Sequence, residues 1–343
     1  MGRIKAAVVG LGYWGPSLAR NFQVNGDYEL VGLCDIDQQR IDKVGASYPW
    51  TKGFTSAEEL MKTVKPEIVA VCTPVATHAT LTKVALDGGA HVLCEKPLAS
   101  TTAEAEELLE LARKRERRLF VDHTFQYTGA VRSIRDLYTT GKLGDLFYID
   151  SVRINLGLFQ PDVDVIWDLA PHDLAILNYI VGKRPVAVQA TASAHNPRGL
   201  SDVAYLDVRY ENDLLAHLHL SWLSPVKIRR MIYSGTKSSV IYDDMELSEK
   251  VKIYDHGVSF DVKDLETRKQ VLVNYRRGEM RAPALDNKEA LGTELSELAA
   301  VLRGTANPDV TKNVASGEDG LAIVRILEAC KVSLSKDGAR VAL

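Results

Sequence analysis

Cysteine is scarce in this chain of 343 residues, which has 4 cysteines and no pair with C-x-x-C spacing. Cys34, Cys72, Cys94 and Cys330 are too widely spread to indicate a disulfide framework or a zinc knuckle, so we expect a reducing, cytoplasmic location. The sequence has no run of about 18 apolar residues, and its start lacks the apolar segment and cleavage site of a signal peptide. We therefore expect neither export nor a membrane partner.

A basic excess is also missing, because 42 Lys and Arg residues face 45 Asp and Glu residues and the formal net charge is -3. Nucleic-acid backbones bind clustered positive charge, so we expect no nucleic-acid partner. The 46% hydrophobic and 25% charged residues exclude disordered and fibrous classes. Repeats, low-complexity tracts and Pro/Gly-rich linkers are absent as well. At roughly 150 residues per domain, the length predicts about two closely joined domains.

Residues 1–122 alternate short apolar runs with helical patterns. The apolar runs are Ile4 to Val9, Leu30 to Cys34, Ile68 to Cys72, His91 to Cys94 and Leu119 to Val121. The helical patterns are Trp14 to Val24, which we expect Gly26 to stop, Asp37 to Tyr48, Ser56 to Val64, Ala76 to Asp87 and Thr102 to Arg115. Runs without polar alternation are typical of strands buried on both faces of a parallel sheet. The first 122 residues therefore predict an α/β Rossmann domain with a doubly wound parallel sheet.

Residues 123–343 have a different rhythm, in which one helix over Gly129 to Thr140 leads into strands with two-residue alternation. The clearest strand places Ala216, Leu218, Leu220 and Trp222 on one face and His217, His219 and Ser221 on the other. It is expected to pair with Val203 to Tyr210 through a turn at 211–213. The other predicted strands are Ile149 to Leu156, Val186 to Ser193, Ile228 to Tyr233 and Ser239 to Tyr242. We expect an α+β domain with a large, mainly antiparallel sheet, covered by helices at Asn287 to Arg303 and Glu318 to Ser333.

A G-x-G-x-x-G pattern at residues 10–15 follows the first predicted strand and opens the first predicted helix. Gly10 permits a tight turn, Gly12 lets a pyrophosphate approach the backbone, and Gly15 allows the helix to pack closely. The helix N-terminus adds N–H donors and partial positive charge. Asp35 follows Gly15 by 20 residues, where its carboxylate accepts hydrogen bonds from a ribose and repels a 2'-phosphate. Because Ile36 adds no compensating cation, NAD is predicted over NADP.

Two further segments stand at the C-terminal ends of predicted strands, where open α/β sheets bind their ligands. Thr73-Pro74-Val75-Ala76-Thr77-His78 follows the strand that starts at Ile68, and Glu95-Lys96-Pro97 follows the strand that starts at His91. A lysine at such a strand end can bind or polarise a substrate oxygen. From the residues alone, Lys96 is equally interpretable as a solvated loop charge.

The glycine pattern, Cys72-Thr73-Pro74 with His78, and Glu95-Lys96-Pro97 together resemble the Gfo/Idh/MocA oxidoreductases in order and spacing. Trp167-Asp168-Leu169-Ala170-Pro171-His172-Asp173 resembles the catalytic D-x-x-x-H segment of that family. The segments at 123–127, 141–145 and 221–225 are similar to members that act on nucleotide sugars. Many members of the family carry a glycine run before the catalytic Asp, whereas residues 164–167 of this chain read Asp-Val-Ile-Trp.

The resemblance implies a nicotinamide cofactor and an open-faced sheet used for a homodimer or homotetramer. It also implies a cis bond at Lys96-Pro97. The implied cofactor-binding residues are Gly10, Gly12, Tyr13, Trp14, Gly15, Asp35, Thr73, Pro74, His78, Glu95, Lys96 and Pro97.

Asp168 and His172 are four residues apart, so on a helix their side chains share one face. Oxidation of a secondary alcohol requires a base near neutral pKa, and histidine suits that task. We interpret His172 as the general base, Lys96 as the group that stabilises charge on the substrate oxygen, and Asp168 as the residue that orients the pair. The alternatives are a buried, hydrogen-bonded His172 and a helix-capping Asp168.

Several residues are candidates for substrate contact: Lys96, Gln126, Asn155, Trp167, His172 and Arg229, with Arg153, Lys227, Arg230 and Trp222 as further polar or stacking groups. A solvated strand face, subunit contacts and core packing are alternative interpretations. His217 and His219 share a strand face but have no third ligand nearby, so no metal is predicted.

These features predict an NAD-dependent dehydrogenase or reductase that acts on a secondary ring hydroxyl or ketone of a sugar. The favoured substrate is nucleotide-linked, a UDP-amino-sugar or sugar acid oxidised at C3. An inositol, polyol or free-sugar dehydrogenase is the nearest alternative. An NAD-dependent glycosidase and a non-catalytic dinucleotide-sensing regulator are alternatives of other classes, and a regulator has no need for Lys96, Asp168 and His172 together.

Overall fold

The computed structural model describes residues 2–157, 159, 163–261, 272–276 and 278–343. They form two compact units. Unit 1 comprises residues 1–128 and 288–328, and unit 2 comprises residues 129–287 and 329–343. The first division follows residue 128, whereas the predicted boundary follows residue 122. The return of the later segment to unit 1 was not predicted, because a boundary placed by a change of sequence rhythm cannot show where the chain comes back.

Over the described residues of unit 1, six parallel strands form one sheet in the order β3-β2-β1-β4-β5-β6. The strands are β1 (Ile4–Val9), β2 (Tyr28–Cys34), β3 (Lys52–Phe54), β4 (Ile68–Val71), β5 (His91–Glu95) and β6 (Leu119–Asp122). This arrangement confirms the doubly wound Rossmann prediction. Only β3 was missed, because two of its three residues are exposed and it contains no apolar run.

The helices between these strands are α1 (Gly15–Val24), α2 (Gln38–Gly45), α3 (Ala57–Val64), α4 (Val75–Asp87) and α5 (Thr102–Lys114). Asp37 and Ser56, predicted as first helical residues, are the N-caps of α2 and α3, and their side chains accept hydrogen bonds from backbone N–H groups. Asn25 is the C-cap residue of α1 and directly precedes Gly26, the predicted stop. The five helices therefore begin and end within a few residues of their predicted bounds.

The described part of unit 2 contains a sheet of nine strands in the order β16-β13-β12-β11-β7-β10-β9-β8-β17. Its elements are α6 (Gly129–Thr139), β7 (Leu146–Leu156), α7 (Val165–Val181), β8 (Ala187–Ser193), β9 (Val203–Arg209), β10 (Leu215–Ser221), β11 (Leu223–Gly235), β12 (Ser239–Asp243), β13 (Val251–Tyr254), β14 (Gly257–Asp261), β15 (Leu272–Arg276), β16 (Met280–Arg281) and β17 (Val341–Ala342). Strands β14 and β15 pair separately. All pairs of the large sheet are antiparallel except β10 with β7, which confirms the mainly antiparallel prediction.

Strand β10 shows why alternation revealed this sheet. Leu218 and its partner Leu206 on β9 are fully buried, whereas His217 and His219 lie on the opposite, partly exposed face. The turn that joins β9 to β10 falls at 211–213 as predicted, and Asn212 adopts a left-handed φ of 62°. Helices α6 and α7 pack against each other, and α7 also packs on β10.

The chain then forms α8 (Ala290–Leu302), α9 (Pro308–Asn313) and α10 (Gly317–Leu334). Helix α8 was expected to cover the antiparallel sheet, and this expectation is wrong. Leu291 and Leu295 belong to the same buried cluster as Phe22 and Tyr28 of unit 1, and the Tyr28 hydroxyl donates to the Leu295 carbonyl oxygen at 2.7 Å. An apolar helix face does not specify the sheet on which it packs. The end of α10 does reach the second sheet, since Ser333 Oγ accepts from the N–H of Ala190 on β8 at 2.9 Å.

Among the described helices, none combines the length and the apolar character needed to cross a membrane.

Candidate functional site

The glycine loop at residues 10–15 has the shape of a dinucleotide cradle. A Cβ on Gly10, whose φ is +95°, would lie 2.6 Å from the Cys72 carbonyl oxygen, and one on Gly15 would lie 1.9 Å from the Gly10 carbonyl oxygen. Both positions therefore require glycine. A Cβ on Gly12 would have only Arg40 Nη1 within 4 Å, at 3.9 Å, so this part of the loop leaves space for a ligand. The loop leads into the N-terminus of α1, and these residues fit a bound pyrophosphate.

Asp35 holds this loop in place. Its Oδ2 accepts a hydrogen bond from Leu11 N at 2.7 Å, and its Oδ1 accepts one from Asp37 N at 3.0 Å. Arg40 Nη1 lies 3.7 Å from Asp35 Oδ2, because the first turn of α2 carries this residue back toward the loop. The sequence argument for NAD considered only Ile36, and its premise that no cation stands beside Asp35 is wrong.

Tyr13 and Trp14 occupy the remaining positions of the loop. The Tyr13 side chain is 92% exposed and its ring stacks near that of Trp14, with centroids 6.4 Å apart. The Trp14 indole Nε1 donates to Asp122 Oδ2 at 2.7 Å. Asp122 is the last residue of β6, and its role was not predicted because 107 residues separate it from Trp14 in sequence.

His78 connects the two other predicted cofactor segments. Its Nε2 lies 2.7 Å from the Thr73 carbonyl oxygen, and its Nδ1 lies 2.8 Å from the Pro97 carbonyl oxygen. The ring is buried, whereas Pro74 is exposed and Thr73 is partly exposed. His78 therefore bridges the loops that follow β4 and β5.

Lys96 follows β5 and is partly buried, with its backbone N–H donating to Glu95 Oε2 at 2.8 Å. The Lys96-Pro97 peptide bond is cis, which confirms that expectation. His123 is close enough to Lys96 to be affected by its charge. Burial lowers the pKa of His123 to about 4, the Lys96 ammonium contributes in the same direction, and the Asp319 carboxylate opposes it.

In unit 2, α7 carries Asp168 and His172 one turn apart, as predicted, and both are partly buried. The N-cap of this helix is Asp164, whose side chain accepts from Trp167 N at 2.9 Å. The alternative of Asp168 as the N-cap is therefore wrong. Asp168 Oδ2 instead accepts a hydrogen bond from Trp222 Nε1 at 3.1 Å. Trp222 is buried, so it orients Asp168 and does not offer an exposed stacking face.

Asp173, next to His172 in sequence, anchors α7 to the sheet. Arg153 of β7 donates to Asp173 Oδ1 from Nε at 2.7 Å and from Nη2 at 2.6 Å, and Ser151 Oγ donates to Asp173 Oδ2 at 2.9 Å. Burial alone would lower the pKa of Arg153, but the Asp173 carboxylate outweighs it and the pKa is raised. Arg153 is therefore a buried structural cation, which corrects its interpretation as a group that grips substrate.

The other residues proposed for substrate contact are placed as follows. The Gln126 amide is buried and donates to the Asn313 carbonyl oxygen at 3.1 Å. Trp167 is buried, and Lys331 Nζ lies 4.0 Å from the centroid of its ring. Arg229 Nη1 is 3.5 Å from Asp244 Oδ2. These contacts do not favour substrate binding by the three residues, whose roles stay predictions.

Asn155, the remaining candidate, is partly exposed on β7. It lies between the pairs Ile154–Ile228 and Leu156–Leu223, where the register of β7 with β11 is irregular. Four residues of β11, 224–227, therefore lie opposite the single residue Asn155 of β7. This irregularity interrupts the sheet beside Asn155, and its role as a substrate contact also stays a prediction.

Two family models match the chain. The model described as "Oxidoreductase family, NAD-binding Rossmann fold" matches residues 4–123, and the model described as "GFO/IDH/MocA C-terminal domain" matches residues 131–241. Together they cover most of both predicted domains.

Known proteins are similar over most of the chain. A UDP-N-acetylglucosamine 3-dehydrogenase of Acidithiobacillus ferrooxidans is 28% identical over 259 residues, which are 74% of this chain and 78% of that protein. A structure described as an NADPH-dependent oxidoreductase from Desulfitobacterium hafniense is 18% identical, with a TM-score of 0.82 over 100% of this chain and 98% of that one. GenD2 from gentamicin A biosynthesis, solved with NAD, is 20% identical, with a TM-score of 0.81 over 100% and 97%. The two structures support the fold.

Proposed function

Because the chain belongs to the Gfo/Idh/MocA oxidoreductases, we propose that it oxidises or reduces a secondary ring carbon of a nucleotide-linked sugar with NAD. The observation that carries this proposal is helix α7, which presents Asp168 and His172 on adjacent turns and has Asp168 oriented by Trp222. The similarity to a UDP-N-acetylglucosamine 3-dehydrogenase supports a UDP-amino-sugar or sugar acid as substrate and C3 as the reacting carbon.

The glycine loop and Asp35 are proposed to hold the cofactor, with the segments at Thr73 and Glu95 completing its site. A bound nicotinamide accepts or returns the hydride. His172 removes the hydroxyl proton during oxidation and returns it during reduction. Lys96 stabilises the negative charge that develops on the substrate oxygen, and Asp168 orients the imidazole.

The experiment that tests the substrate class uses mass spectrometry, which detects turnover even where the nicotinamide is retained. The protein and NAD are incubated with UDP-sugars, UDP-sugar acids, free aldoses and inositols, with and without an external keto acceptor. A UDP-sugar that loses the mass of two hydrogen atoms supports the proposal. Oxidation of inositols alone would instead indicate a polyol dehydrogenase, and net hydrolysis would indicate a glycosidase.

The roles on α7 and at Lys96 have their own test. His172→Ala and Lys96→Ala are each expected to lower kcat by roughly 10²–10⁴-fold, the usual contribution of a positioned proton-transfer or charge-stabilising group. His195→Ala is the matched histidine control, because the 195 side chain is exposed and bonded to Asp202. Unchanged hydride transfer in a folded His172→Ala variant would contradict the assignment.

We also propose that the open face of the large sheet joins two or more copies of the chain. Tyr205 stacks on His219 with ring centroids 4.7 Å apart, and His217 Nδ1 lies 2.8 Å from Asp207 Oδ1 on the same face. Tyr205 is 42% exposed on β9, which is paired on both sides, so its ring is available to a second copy of the chain. Light scattering on Tyr205→Glu, which places charge at the centre of this face, is expected to show smaller particles than the unchanged protein.

A further inference from the structure

The cofactor loop is held from two strands, and the second attachment has no assigned role. Asp35, after β2, holds the backbone of Leu11. Asp122, at the end of β6, accepts a hydrogen bond from the Trp14 indole at 2.7 Å and another from Thr124 Oγ1 at 2.5 Å. Trp14 is the N-cap residue of α1, so fixing its side chain also fixes the point where the loop becomes helix.

We infer that Asp122 is a positioning residue of the cofactor site, which acts through Trp14 to hold the glycine loop in its binding geometry. The side chain of Asp122 is buried, and both of its oxygens accept hydrogen bonds from neutral donors. A carboxylate with two such donors is a strong acceptor, because charge-assisted hydrogen bonds are stronger than neutral ones. The inference concerns cofactor binding alone, so it does not depend on which sugar is the substrate.

Two further carboxyl groups surround Asp122 and determine how its charge is maintained. Glu294 of α8 is 0% exposed, and neither of its oxygens makes a regular hydrogen bond within the described residues. Burial raises the pKa of Glu294 well above its ordinary value, and the Asp122 carboxylate raises it further. Burial and Asp122 also raise the pKa of Glu95, although Lys96 opposes the shift.

Burial and the surrounding carboxyl groups therefore favour the protonated forms of Glu95 and Glu294. Closely spaced carboxyl groups in a buried site cannot all ionise. Glu95 and Glu297 of α8 also raise the pKa of Glu294, and Glu294 in turn raises the pKa of the buried Tyr127 and Tyr28 phenols. A protonated Glu294 adds no negative charge beside the carboxyl group that holds Trp14.

The first test is a double-mutant cycle read as NAD affinity by calorimetry. Asp122→Asn and Trp14→Phe are each expected to weaken NAD binding roughly tenfold, the effect of one hydrogen bond. The double variant is expected to bind NAD as weakly as Trp14→Phe alone, because Trp14→Phe already removes the hydrogen bond through which Asp122 acts. Asp309→Asn and Trp50→Phe, at exposed positions of unit 1, are the matched controls and should bind normally.

Effects that simply add in the double variant would overturn the inference, since Asp122 would then act by another route. Normal NAD affinity in a folded Asp122→Asn variant would overturn it as well. Circular dichroism identifies a variant that fails to fold. If Asp122→Asn is unfolded, Trp14→Phe decides the question alone, because the inference requires its loss of affinity.

The second test examines the proton on Glu294 through thermal unfolding of the full chain. In the unfolded chain Glu294 ionises near its ordinary pKa, whereas in the fold it stays protonated to a higher pH. Stability from this group is therefore complete at acid pH and is lost as pH rises toward the folded pKa. Glu294→Gln removes this loss. The Tm of the variant minus the Tm of the unchanged protein should therefore increase from about pH 5 to about pH 8.

Glu29→Gln, at an exposed position on β2, should show no such increase. Glu294→Gln is also expected to keep NAD affinity within about twofold, because the amide preserves the uncharged state beside Asp122. A Tm difference that stays constant across this pH range would refute the charge arrangement. Loss of NAD binding in a stable Glu294→Gln variant would contradict the positioning scheme.

Discussion

Buried carboxylates position functional residues in both units, but their partners differ. In unit 1, Asp35 and Asp122 accept hydrogen bonds from neutral N–H and O–H donors of the cofactor loop and its surroundings. In unit 2, Asp173 is neutralised by the Arg153 guanidinium beneath the helix that carries His172. Removing a neutral donor costs one hydrogen bond, whereas removing the Arg153 guanidinium leaves a buried carboxyl group without its cation. Unit 2 should therefore be sensitive to loss of either partner, and the pH sensitivity of unit 1 should come from His123 and Glu294, whose pKa values are shifted by burial.

The largest expected effect breaks the ion pair of unit 2. Arg153→Met leaves Asp173 buried without a cation and should lower the free energy of unfolding by about 3–5 kcal/mol. Arg153→Met combined with Asp173→Leu should recover most of this loss. Arg230→Met is the matched control, because the Arg230 side chain is 51% exposed in its pair with Asp243 and an exposed charge contributes about 0–1 kcal/mol. Urea unfolding measures all four proteins, and equal losses at 153 and 230 would contradict the distinction.

The next prediction concerns how the stability of unit 1 depends on pH. His123 has a pKa of about 4 in the fold, so it stays neutral where the unfolded chain takes up a proton. Its contribution to stability is complete above about pH 6.5 and is lost as pH falls toward about 4, a change on the order of 3 kcal/mol. His123→Leu should therefore lose less stability than the unchanged protein between pH 7 and pH 5. An equal loss in urea unfolding at the two pH values would show that His123 does not contribute.

A smaller effect concerns the neutral donor in unit 2. Trp222→Phe removes the hydrogen bond to Asp168 and should lower kcat roughly tenfold, while KM changes less than about twofold. NAD affinity is expected to stay unchanged, because the variant alters only the orientation of the Asp168 carboxylate, which we propose orients His172. Trp50→Phe, at an exposed site, serves as the control. A rise in KM at constant kcat would instead assign Trp222 to substrate binding.

The smallest effect concerns the exposed cation beside Asp35. Arg40→Ala should leave NAD affinity nearly unchanged and weaken NADP binding by about two- to fivefold, because an exposed charge interaction contributes only about 0–1 kcal/mol. Arg115→Ala, which removes an exposed arginine paired with Asp87, is the control. Calorimetry with both cofactors measures the ratio of NAD affinity to NADP affinity. Equal losses for NAD and NADP would place Arg40 at a part of the site that the two cofactors share.

The accuracy of the sequence-based predictions depended on how local each signal was. The roles of Gly10 and Gly15 followed from one turn and one helix start, and the structure shows the close contacts that require glycine there. Arg40 was missed because only the residue directly after Asp35 was considered, although one helical turn brings position 40 back to the same carboxylate. Arg153 was a candidate for substrate contact, with a solvated face or a subunit contact as alternatives, because polar residues on a strand do not show which face is buried.

The sequence by itself determined the parallel sheet, the glycine loop and the mainly antiparallel second sheet. Local backbone preference and periodic burial specify these features, and both are present in short stretches of chain. Only the tertiary structure decided that α8 packs in unit 1, that Asp122 holds Trp14, and that Arg153 pairs with Asp173. Those contacts join positions distant in sequence, and burial selects their partners because a buried charge or donor requires a complementary group wherever the fold supplies one.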